Sequence, residues 1–501
     1  MGDTQLVWFK RDLRIGDHEA LARAADLGPC LCIYIYEPEV LRAPDFDPSH
    51  LVFINEGLRE LRENLRGLGS DLLLCHGEAV HVLNDLHARF NFKSMHSHQE
   101  TGNAITYARD LRVLEWSRHA NVRWEEYRQH GVFRGLRDRD GWAGRWNEVM
   151  RSPLIESPRR VDKPVGLECG PILSEAELGL ETSTKGLVQT GGESQGLDTL
   201  LAFLSERGER YRTEMSSPNT AVHACSRISP YLAFGQISMR TVLQETEARQ
   251  RIIRAEPKVK GVKRPPWGAS MASFSKRLRW HCHFIQKLES QPELEWENMA
   301  RAYDGLRETD FRTDWFEAWK AGKTGYPMVD ACMRSLHDTG WVNFRMRAML
   351  MSFASYHLWL DWRPTSLYLA TQFLDYEPGI HYSQAQMQSG TTGINAVRIY
   401  SPTKQVFDQD PEGVFIKQWV PELSGVPAEN IAQPELMSAD EQDRYGCQIG
   451  RDYPAPLVVH KEAVKAAKQR IYGVRKQAEA KSEAQAVFER HGSRRKPNRR
   501  R

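Results

Sequence analysis

An uninterrupted apolar run lies near the amino terminus, Leu31-Cys32-Ile33-Tyr34-Ile35-Tyr36. A shorter run, Leu6-Val7-Trp8-Phe9, precedes it, and Asp71-Leu72-Leu73-Leu74-Cys75 follows a stretch with helical spacing of apolar residues at 53–68. Short apolar runs that alternate with amphipathic helices are typical of parallel strands covered by helices on both faces. The sequence therefore predicts an α/β domain with a doubly wound parallel sheet over residues 1–131.

The pattern of alternating strands and helices ends after this domain. Prolines recur between residues 153 and 171, and residues 182–192 are rich in Gly, Ser, Thr and Gln, which predicts a linker with little structure of its own over 132–192. Long amphipathic stretches follow and predict an all-α domain over residues 193–475. Residues 476–501 are predicted to be a basic tail, either solvated or an arm for nucleic acid or a partner, because six of the last nine residues are basic.

The overall composition restricts the kinds of partner. The 501 residues include 68 basic and 65 acidic side chains, so any nucleic-acid surface must come from local clustering of charge. No apolar run approaches the roughly 18 residues that a membrane span requires. The residues after Met1 lead directly into a strand without a secretory signal. We expect a cytoplasmic protein that does not enter the membrane, with import of a longer precursor into an organelle left open.

The usual small-molecule motifs are absent from the sequence. None of the eight cysteines forms a CxxC pair, so we expect neither a disulfide nor a metal site. The glycine-rich nucleotide loops and the motifs of serine hydrolases and zinc proteases are missing as well. Eight tryptophans instead lie between residues 267 and 362. Indole rings build cores, relay electrons and stack on flat ligands, and composition alone leaves these alternatives open.

Four motifs occur in a characteristic order. They are Val7-Trp8-Phe9-Lys10-Arg11-Asp12-Leu13-Arg14, Cys225-Ser226-Arg227-Ile228-Ser229-Pro230-Tyr231, Gly322-Lys323-Thr324-Gly325-Tyr326-Pro327 and Ile399-Tyr400-Ser401-Pro402. In these motifs the chain resembles the photolyase–cryptochrome family, from about residue 5 to residue 470. The resemblance implies FAD held by the all-α domain and chemistry driven by blue light.

The resemblance also implies a set of cofactor contacts: Tyr211, Cys225, Ser226, Arg227, Ile228, Ser229, Phe274, Arg347, Asp375, Glu377 and His381. The serine hydroxyls and the guanidinium of residues 226–229 suit a pyrophosphate, although such serines are also ordinary helix caps. Arg347 and Asp375 match the pair beside the isoalloxazine ring, where the guanidinium would offset the charge of a reduced flavin. An ordinary salt bridge between helices is the alternative.

The substrate pocket departs from the family pattern. The resemblance assigns catalytic positions to Trp362, Trp280, Arg277 and His381, and DNA contacts to Arg277, Trp280, Phe344, Met387, Lys404 and Gln405. Only Trp280 keeps the type usual for repair of cyclobutane dimers, since Arg277 replaces a glutamate and Phe344 an asparagine. The paired histidines of six-four repair enzymes are missing from residues 340–344. His381 aligns with the position opposite flavin N5, where repair enzymes have asparagine.

The electron relay of the family is also incomplete. Trp362 matches its middle member, but Ala385 and Thr309 stand at the inner and outer places. Neighbouring aromatic residues could serve by another route, and the candidates are Trp341, Trp359, Tyr376 and Tyr382.

Two further cofactors of the family are judged from single positions. An iron–sulfur cluster is not expected, because only Cys447 follows Cys332. Thr106 stands where folate-binding relatives have a glutamate. A second, antenna chromophore is therefore left open between folate, a deazaflavin, a pterin-like molecule and none.

The leading functional hypothesis is FAD-dependent, blue-light-driven repair of pyrimidine dimers by electron transfer from reduced flavin, the reaction of a deoxyribodipyrimidine photolyase. The expected partner is damaged DNA, bound by a monomer through the pocket and through basic residues such as the stretch 258–264. The alternative is a cryptochrome-type photoreceptor that uses the same flavin without repair. A light-independent flavoprotein or nucleic-acid-binding protein is the third possibility.

Overall fold

The computed structural model describes residues 3–136, 138–186, 188–257 and 264–492. Its amino-terminal domain is built on a five-stranded sheet in the order β3-β2-β1-β4-β5, and every pairing is parallel. The strands are β1 (Gln5–Phe9), β2 (Cys30–Tyr36), β3 (Leu72–His76), β4 (Ser94–His98) and β5 (Arg123–Tyr127). The predicted doubly wound α/β domain is confirmed.

Helices cover both faces of this sheet: α1 (Glu19–Leu27), α2 (Pro38–Leu41), α3 (Pro48–Gly67), α4 (Ala79–Phe90) and α5 (Ala104–His119). Successive side chains of a strand point to opposite faces. In β1, Val7 and Phe9 therefore join one buried cluster, while Leu6 and Trp8 join the cluster on the other face. Because both faces are buried, the strands appear in the sequence as continuous apolar runs.

The predicted linker contains a helix that the sequence analysis missed. Helix α6 (Trp142–Arg151) buries Trp142, Trp146 and Met150, which recur every four residues on one face. The later part of the segment is tied to the sheet domain, since the Val161 N–H donates to the Leu68 carbonyl at 2.8 Å. The prediction of a segment with little structure is corrected here, because its proline-rich flanks masked the apolar period of α6.

An all-α domain follows, and no strand occurs in the part of it that the structure describes. Its helices are α7 (Glu193–Ser205), α8 (Tyr211–Glu214), α9 (Pro218–Ala224), α10 (Ser229–Ala233), α11 (Met239–Ala255), α12 (Trp267–Ser290), α13 (Thr313–Lys320), α14 (Pro327–Thr339), α15 (Phe344–Ser352), α16 (Trp362–Gln372), α17 (Pro378–Ser389), α18 (Pro402–Gln409), α19 (Val414–Trp419), α20 (Ala439–Tyr445), α21 (His460–Arg475) and α22 (Ala478–His491). A π-helical turn, Phe353–His357, follows α15, and short 3-10 turns lie at Arg207–Arg210, Pro292–Glu295, Arg301–Tyr303, Pro421–Leu423 and Pro434–Leu436. The predicted fold class is therefore confirmed for both domains.

Helices α12 and α17 lie against each other and carry several predicted site residues. Gly379, at the start of α17, permits this close approach. A Cβ atom at this position would lie 2.5 Å from the Cα atom of Ile285 in α12. Any larger residue would push the two helices apart, so the glycine sets the distance between them.

The predicted basic tail begins as a packed helix. The carboxylate of Glu483 in α22 accepts the backbone N–H groups of Arg301 and Ala302, and His491 pairs with Gln291 at 2.6 Å. The basic residues 493–501 lie outside the described residues, as do residues 258–263 of the predicted DNA-binding stretch. None of the described helices combines the length and apolar character needed to cross a bilayer.

The two domains meet beside the carboxyl end of β1. Arg11, just beyond that strand, donates to the carbonyl oxygens of Ala233 at 2.7 Å and Tyr376 at 2.9 Å. His50 of α3 lies 2.9 Å from the Phe373 carbonyl through its Nε2 atom. Residues 373–377 are thus held from behind by the sheet domain.

Candidate functional site

A cavity of about 270 Å³ lies between helices α15, α16 and α17. Its lining includes five predicted cofactor contacts, Ser229, Arg347, Asp375, Glu377 and His381, together with Trp341, Phe344, Phe373, Tyr376 and Ala385. The remaining walls are mostly apolar, which is typical of a site for a flat organic ligand with a few polar anchors.

The Arg347–Asp375 pair forms the polar wall of this cavity. The two terminal nitrogens of the Arg347 guanidinium, Nη1 and Nη2, donate to the Asp375 carboxylate at 2.8 and 3.0 Å. The third nitrogen, Nε, donates to the Val342 carbonyl at 2.8 Å. Burial on its own would raise the pKa of Asp375, but Arg347 and the hydroxyl of Ser229 outweigh it, so this pKa lies below its usual range. The pair is therefore ionised and oriented before any ligand binds.

Arg227 adds a second cation close to this pair. Its guanidinium carbon lies 3.9 Å from the ring centroid of Trp341, which lines the cavity. Its backbone has φ of 60°, a left-handed conformation that costs an arginine energy and is held by two hydrogen bonds with Gln189. Burial lowers the pKa of Arg227 to about 10, so its positive charge is not fully compensated by neighbouring groups.

Arg207 orients the same segment and was missed by the sequence analysis. Its guanidinium donates to four carbonyl oxygens, those of Thr199, His223, Cys225 and Ser226, at 2.7–3.3 Å. These bonds fix the backbone of the segment 223–226 ahead of α10. No sequence signal could identify this residue, because its partners are main-chain atoms that carry no side-chain signature.

His381 stands in the cavity as a neutral imidazole. Its Nε2 atom lies 2.7 Å from the Ser366 carbonyl, which can only accept, so Nε2 carries the proton and Nδ1 keeps its lone pair. Burial is the main reason that the pKa of His381 is lowered to about 4. The side chain therefore contributes a hydrogen-bond acceptor to the cavity and no charge at neutral pH.

Glu377 contributes a carboxyl group without a full set of partners. Its Oε2 atom lies 3.4 Å from Arg11, while Oε1 is buried with no hydrogen-bond partner among the described residues. Burial raises the pKa of Glu377. Arg227 and Arg347 share one carboxylate, that of Asp375, so one positive charge is left over and suits an anionic group. The unpaired Glu377 oxygen suits an N–H donor. A flavin dinucleotide has both, so the residues present fit FAD.

The half-buried Arg277 and two exposed aromatic side chains form a cluster at the mouth of the cavity. The guanidinium carbon of Arg277 is 4.6 Å from the Trp280 ring centroid and 5.7 Å from that of Phe344. Trp280 is 47% exposed and Phe344 is 46% exposed. We call Arg277, Trp280 and Phe344 the mouth cluster.

Several predicted contacts lie away from the cavity lining. Tyr211 and Phe274 pack on each other and on Phe203 in an aromatic core. Cys225 and Ser226 are half-buried in the loop before α10, and Ile228 is buried. None of these residues belongs to the lining of the cavity. Their direct contact with a cofactor stays a prediction.

The predicted DNA contacts outside the mouth cluster differ in exposure. Lys404 is exposed and pairs with Asp408 one turn along α18, at 3.0 Å. Gln405 is 5% exposed, so its amide faces the interior and does not reach a surface ligand in this conformation. Met387 is half-buried in α17. Of these three, Lys404 alone fits the predicted role as it stands.

Trp362 is enclosed rather than placed at the cavity. It is 1% exposed, and its Nε1 donates to Asn298 Oδ1 at 2.7 Å. Ala385 lines the cavity at the inner place of the relay and offers no ring there. Thr309, at the outer place, is exposed.

Two further cavities, both lined by residues of the amino-terminal domain, concern the antenna that the sequence analysis left open. A cavity of about 110 Å³ adjoins the ends of β1 and β2, and one of about 410 Å³ lies between α5 and the end of α12. Thr106 lines both. The acidic residues around the larger one are Glu100, Asp110, Glu126, Glu289 and Glu295. Arg134 is its basic lining residue and pairs with Glu126 at 2.6 Å, so the charge there favours a neutral ring over an anion.

Two family models match the chain in the regions that hold these features. The model described as DNA photolyase matches residues 5–135, and the model described as FAD binding domain of DNA photolyase matches residues 274–473. The first coincides with the sheet domain, and the second contains α12 and α15–α17, which form the cavity and its mouth.

Full-length relatives agree with both models. The chain is 29% identical to a deoxyribodipyrimidine photo-lyase of Halobacterium salinarum, covering 91% of this chain and 96% of that protein. It is 27% identical to a cryptochrome DASH of Gloeobacter violaceus, covering 91% and 93%. A class III photolyase from Agrobacterium tumefaciens superposes with a TM-score of 0.82 at 26% identity, over 95% of this chain and 98% of that one. The chain therefore belongs to the photolyase–cryptochrome family and contains that family's FAD-binding domain.

Proposed function

We propose that the protein binds FAD in the cavity between α15, α16 and α17 and uses blue light to repair pyrimidine dimers in DNA. The observation that carries this proposal is the position of Phe344, whose ring lines the cavity and is also 46% exposed within the mouth cluster. A surface for stacking thus opens directly onto the proposed flavin site. When bound, reduced FAD would supply one electron to the dimer and recover it after the ring splits.

The mouth cluster fits a base that has left the DNA stack. Exposed aromatic rings stack on flipped bases, and a guanidinium bonds base carbonyls or phosphate oxygens. Arg277 already lies between the two rings, so it can keep contact with Trp280 while it bonds a base. In this proposal Arg277 replaces the contribution of the glutamate that other repair enzymes have.

The proposed repair reaction is tested on the purified protein under blue light. An oligonucleotide with one cyclobutane thymine dimer is illuminated with the protein, and recovered thymine is measured. Trp280→Ala is expected to weaken binding of this DNA by about 1–3 kcal/mol, the usual contribution of one stacked base, and to leave FAD content unchanged. Trp296→Ala is the matched control, because Trp296 is 46% exposed like Trp280 but does not belong to the mouth cluster. Absence of thymine recovery, or equal effects of both variants, would contradict the proposal.

A cryptochrome-type photoreceptor is the second candidate, and His381 favours it. A neutral imidazole with a free acceptor at Nδ1 replaces the amide of repair enzymes, which alters the hydrogen bonding available to the flavin. In that case light would change the redox state of the flavin in the wild-type protein, but dimer DNA would bind weakly and no thymine would be recovered. The same experiment therefore separates the two candidates.

The finer parts of the proposal concern partners and the antenna. We propose a cytoplasmic monomer that contacts DNA through the mouth cluster and through Lys404.

For the antenna we favour an uncharged pterin-like ring in the cavity of about 410 Å³ between α5 and the end of α12, because the carboxylates around it repel phosphate or polyglutamate groups. Co-purified pigment identified by mass spectrometry tests this choice against a deazaflavin and against none.

A further inference from the structure

A chain of hydrogen bonds leads from the cavity into the amino-terminal domain. Tyr376 lines the cavity, and its hydroxyl donates to Asp45 Oδ2 at 2.7 Å. The Tyr382 hydroxyl lies 3.2 Å from the Tyr376 oxygen. A phenol has one proton, and the shorter bond to a carboxylate takes it, so Tyr382 donates to Tyr376. The protons are thus aligned in one direction, from Tyr382 through Tyr376 to Asp45.

The same residues form a series of closely spaced rings. The ring centroids of Tyr376 and Tyr382 are 6.4 Å apart, and those of Tyr382 and Trp362 are 6.5 Å apart. Trp362 in turn borders a cleft whose other lining includes the half-buried Arg363 and the exposed Glu308. The series therefore connects the cavity with the outer part of the domain, although Ala385 leaves the inner place of the family relay without a ring.

Asp45 is held in position as a proton acceptor. It is 5% exposed and comes from the loop between α2 and α3. The same Oδ2 atom accepts a second hydrogen bond from Asn103 Nδ2 at 2.8 Å, and Asn103 caps the start of α5. The carboxylate is thereby anchored to the sheet domain and aimed at a phenol of the helical domain.

A buried phenol can give up an electron only if its proton also leaves. Burial raises the pKa of Tyr376 well above its ordinary value, so the hydroxyl stays protonated in the resting protein. Removal of an electron would leave a strongly acidic cation, and a base in hydrogen-bond contact must accept its proton. Among the groups around the Tyr376 hydroxyl, Asp45 provides such a base.

We propose that Tyr376 is the residue that delivers an electron to excited flavin in this cavity, with Asp45 as the acceptor of its phenolic proton. This inference rests on the proposed binding of FAD. One electron passes from Tyr376 to the flavin, the O–H bond of Tyr376 breaks, and Asp45 gains the proton, which leaves a neutral tyrosyl radical. Tyr382 then returns an electron and its own hydroxyl proton to Tyr376. An external thiol restores Tyr382 by giving it one electron and one proton, two of the resulting thiyl radicals join to a disulfide over two turnovers, and Asp45 releases its proton to water.

The experiment compares FAD-loaded variants by flash photolysis and electron paramagnetic resonance. The wild-type protein is expected to form a neutral tyrosyl radical, with slower formation in D₂O than in H₂O. Tyr376→Phe should abolish that radical signal. Asp45→Asn should lower its yield by about tenfold or more and remove the solvent isotope effect, because proton transfer is lost. Tyr326→Phe is the matched control, since it removes a partly buried hydroxyl bond to the Val458 carbonyl, and neither residue lines the cavity.

Several outcomes would overturn this assignment. A tryptophanyl radical alone in the wild-type protein, or unchanged radical yield in both Tyr376→Phe and Asp45→Asn, would exclude the tyrosine as donor while leaving FAD binding intact. If Tyr376→Phe lost its FAD, Asp45→Asn and Tyr382→Phe would still decide, because neither residue lines the cavity. A wild-type protein that bound no FAD at all would instead overturn the proposed function, and the relay with it.

Discussion

Two buried arginines, Arg109 in the sheet domain and Arg347 in the helical domain, differ in the charge that surrounds them. Arg109 binds three carboxylates, those of Glu37, Glu100 and Asp110. Arg347 binds Asp375 alone and has a second cation, Arg227, in the same environment. In the sheet domain, the carboxylates around Arg109 outnumber this cation. In the helical domain, the cations Arg227 and Arg347 outnumber the one carboxylate that they share.

The pKa values reflect this difference. Three carboxylates raise the pKa of Arg109 in spite of its burial, while burial raises the pKa of Glu37 to about 7. In the helical domain, burial lowers the pKa of Arg227 to about 10. A network that is complete in itself holds a domain together, and a network that lacks an anion is prepared for a ligand. We therefore expect substitutions at the two arginines to affect different properties.

The largest expected effect follows Arg109→Ala. This change leaves Glu37 without its ion-pair partner, while Glu100 and Asp110 keep Lys10 at 3.8 and 3.3 Å. It should lower the free energy of unfolding by about 3–5 kcal/mol, with FAD content of the folded fraction retained. Glu37 has a folded pKa of about 7 against an ordinary 4.5, so its contribution to stability is present at low pH and lost as pH rises through this window. Because Arg109 lowers the pKa of Glu37, the Arg109→Ala variant should raise this pKa further and shift the loss of stability to higher pH. Urea unfolding across this range measures both effects, and a variant as stable as wild type would contradict the comparison.

Arg347→Ala should act on the cofactor more than on the fold. Its side chain is 23% exposed, so leaving Asp375 unpaired should cost about 1–3 kcal/mol of stability, while FAD content should fall strongly. Arg347→Lys is the matched variant, because it keeps the charge and loses the two-pronged geometry. Cofactor content is measured from flavin absorbance after gel filtration. Full FAD content in both variants would show that the surplus charge has no part in binding.

His381→Asn tests whether the arginines alone supply the positive charge of the cavity. Burial lowers the folded pKa of His381 to about 4 from an ordinary 6.5, so the stability due to its neutral form is present above 6.5 and lost as pH falls toward 4. The variant should lose less stability in this window, by at most about 3 kcal/mol. Thermal unfolding at several pH values measures the difference. An acid profile identical to that of wild type would mean that His381 is not buried neutral.

The smallest expected effect is that of Arg334→Ala, which serves as the control for both arginines. Arg334 makes two bonds to Glu422, at 2.8 and 2.9 Å, but the two side chains are 19% and 30% exposed. A partly solvated pair of this kind should contribute less than about 1 kcal/mol. FAD content should be unchanged. If Arg334→Ala lowered the free energy of unfolding as much as Arg109→Ala, neither burial nor the number of bound carboxylates would distinguish the two arginines.

Secondary-structure elements could be predicted where a short stretch of the sequence carries a clear apolar periodicity. Strands such as Leu6–Phe9 and residues 31–36 were foreseen because their burial on both faces produces a local apolar signal. Helix α6 has an equally local signal in Trp142, Trp146 and Met150, but prolines and glycines around it suggested a loop. Local periodicity therefore predicts elements well only where the flanking residues agree with it.

The site shows where such reasoning ends. The motif containing Arg227 and the positions of Arg347 and Asp375 were identified from the sequence, and the structure brings them to one cavity. Asp45 and Tyr376 are 331 residues apart in the chain, and each is an unremarkable residue in its own segment.

By itself, the sequence determined the two-domain α/β and all-α organisation and the family, because these depend on local periodicity and on motifs of adjacent residues. The cation–carboxylate pair of the cavity was implied by the resemblance to that family. Only the tertiary structure decided that Arg207 holds a loop by its carbonyls, that Gln405 faces inward, and that a sheet-domain carboxylate accepts a hydrogen bond from a helical-domain tyrosine. Contacts of this kind depend on where distant elements pack, and no local pattern of residues encodes them.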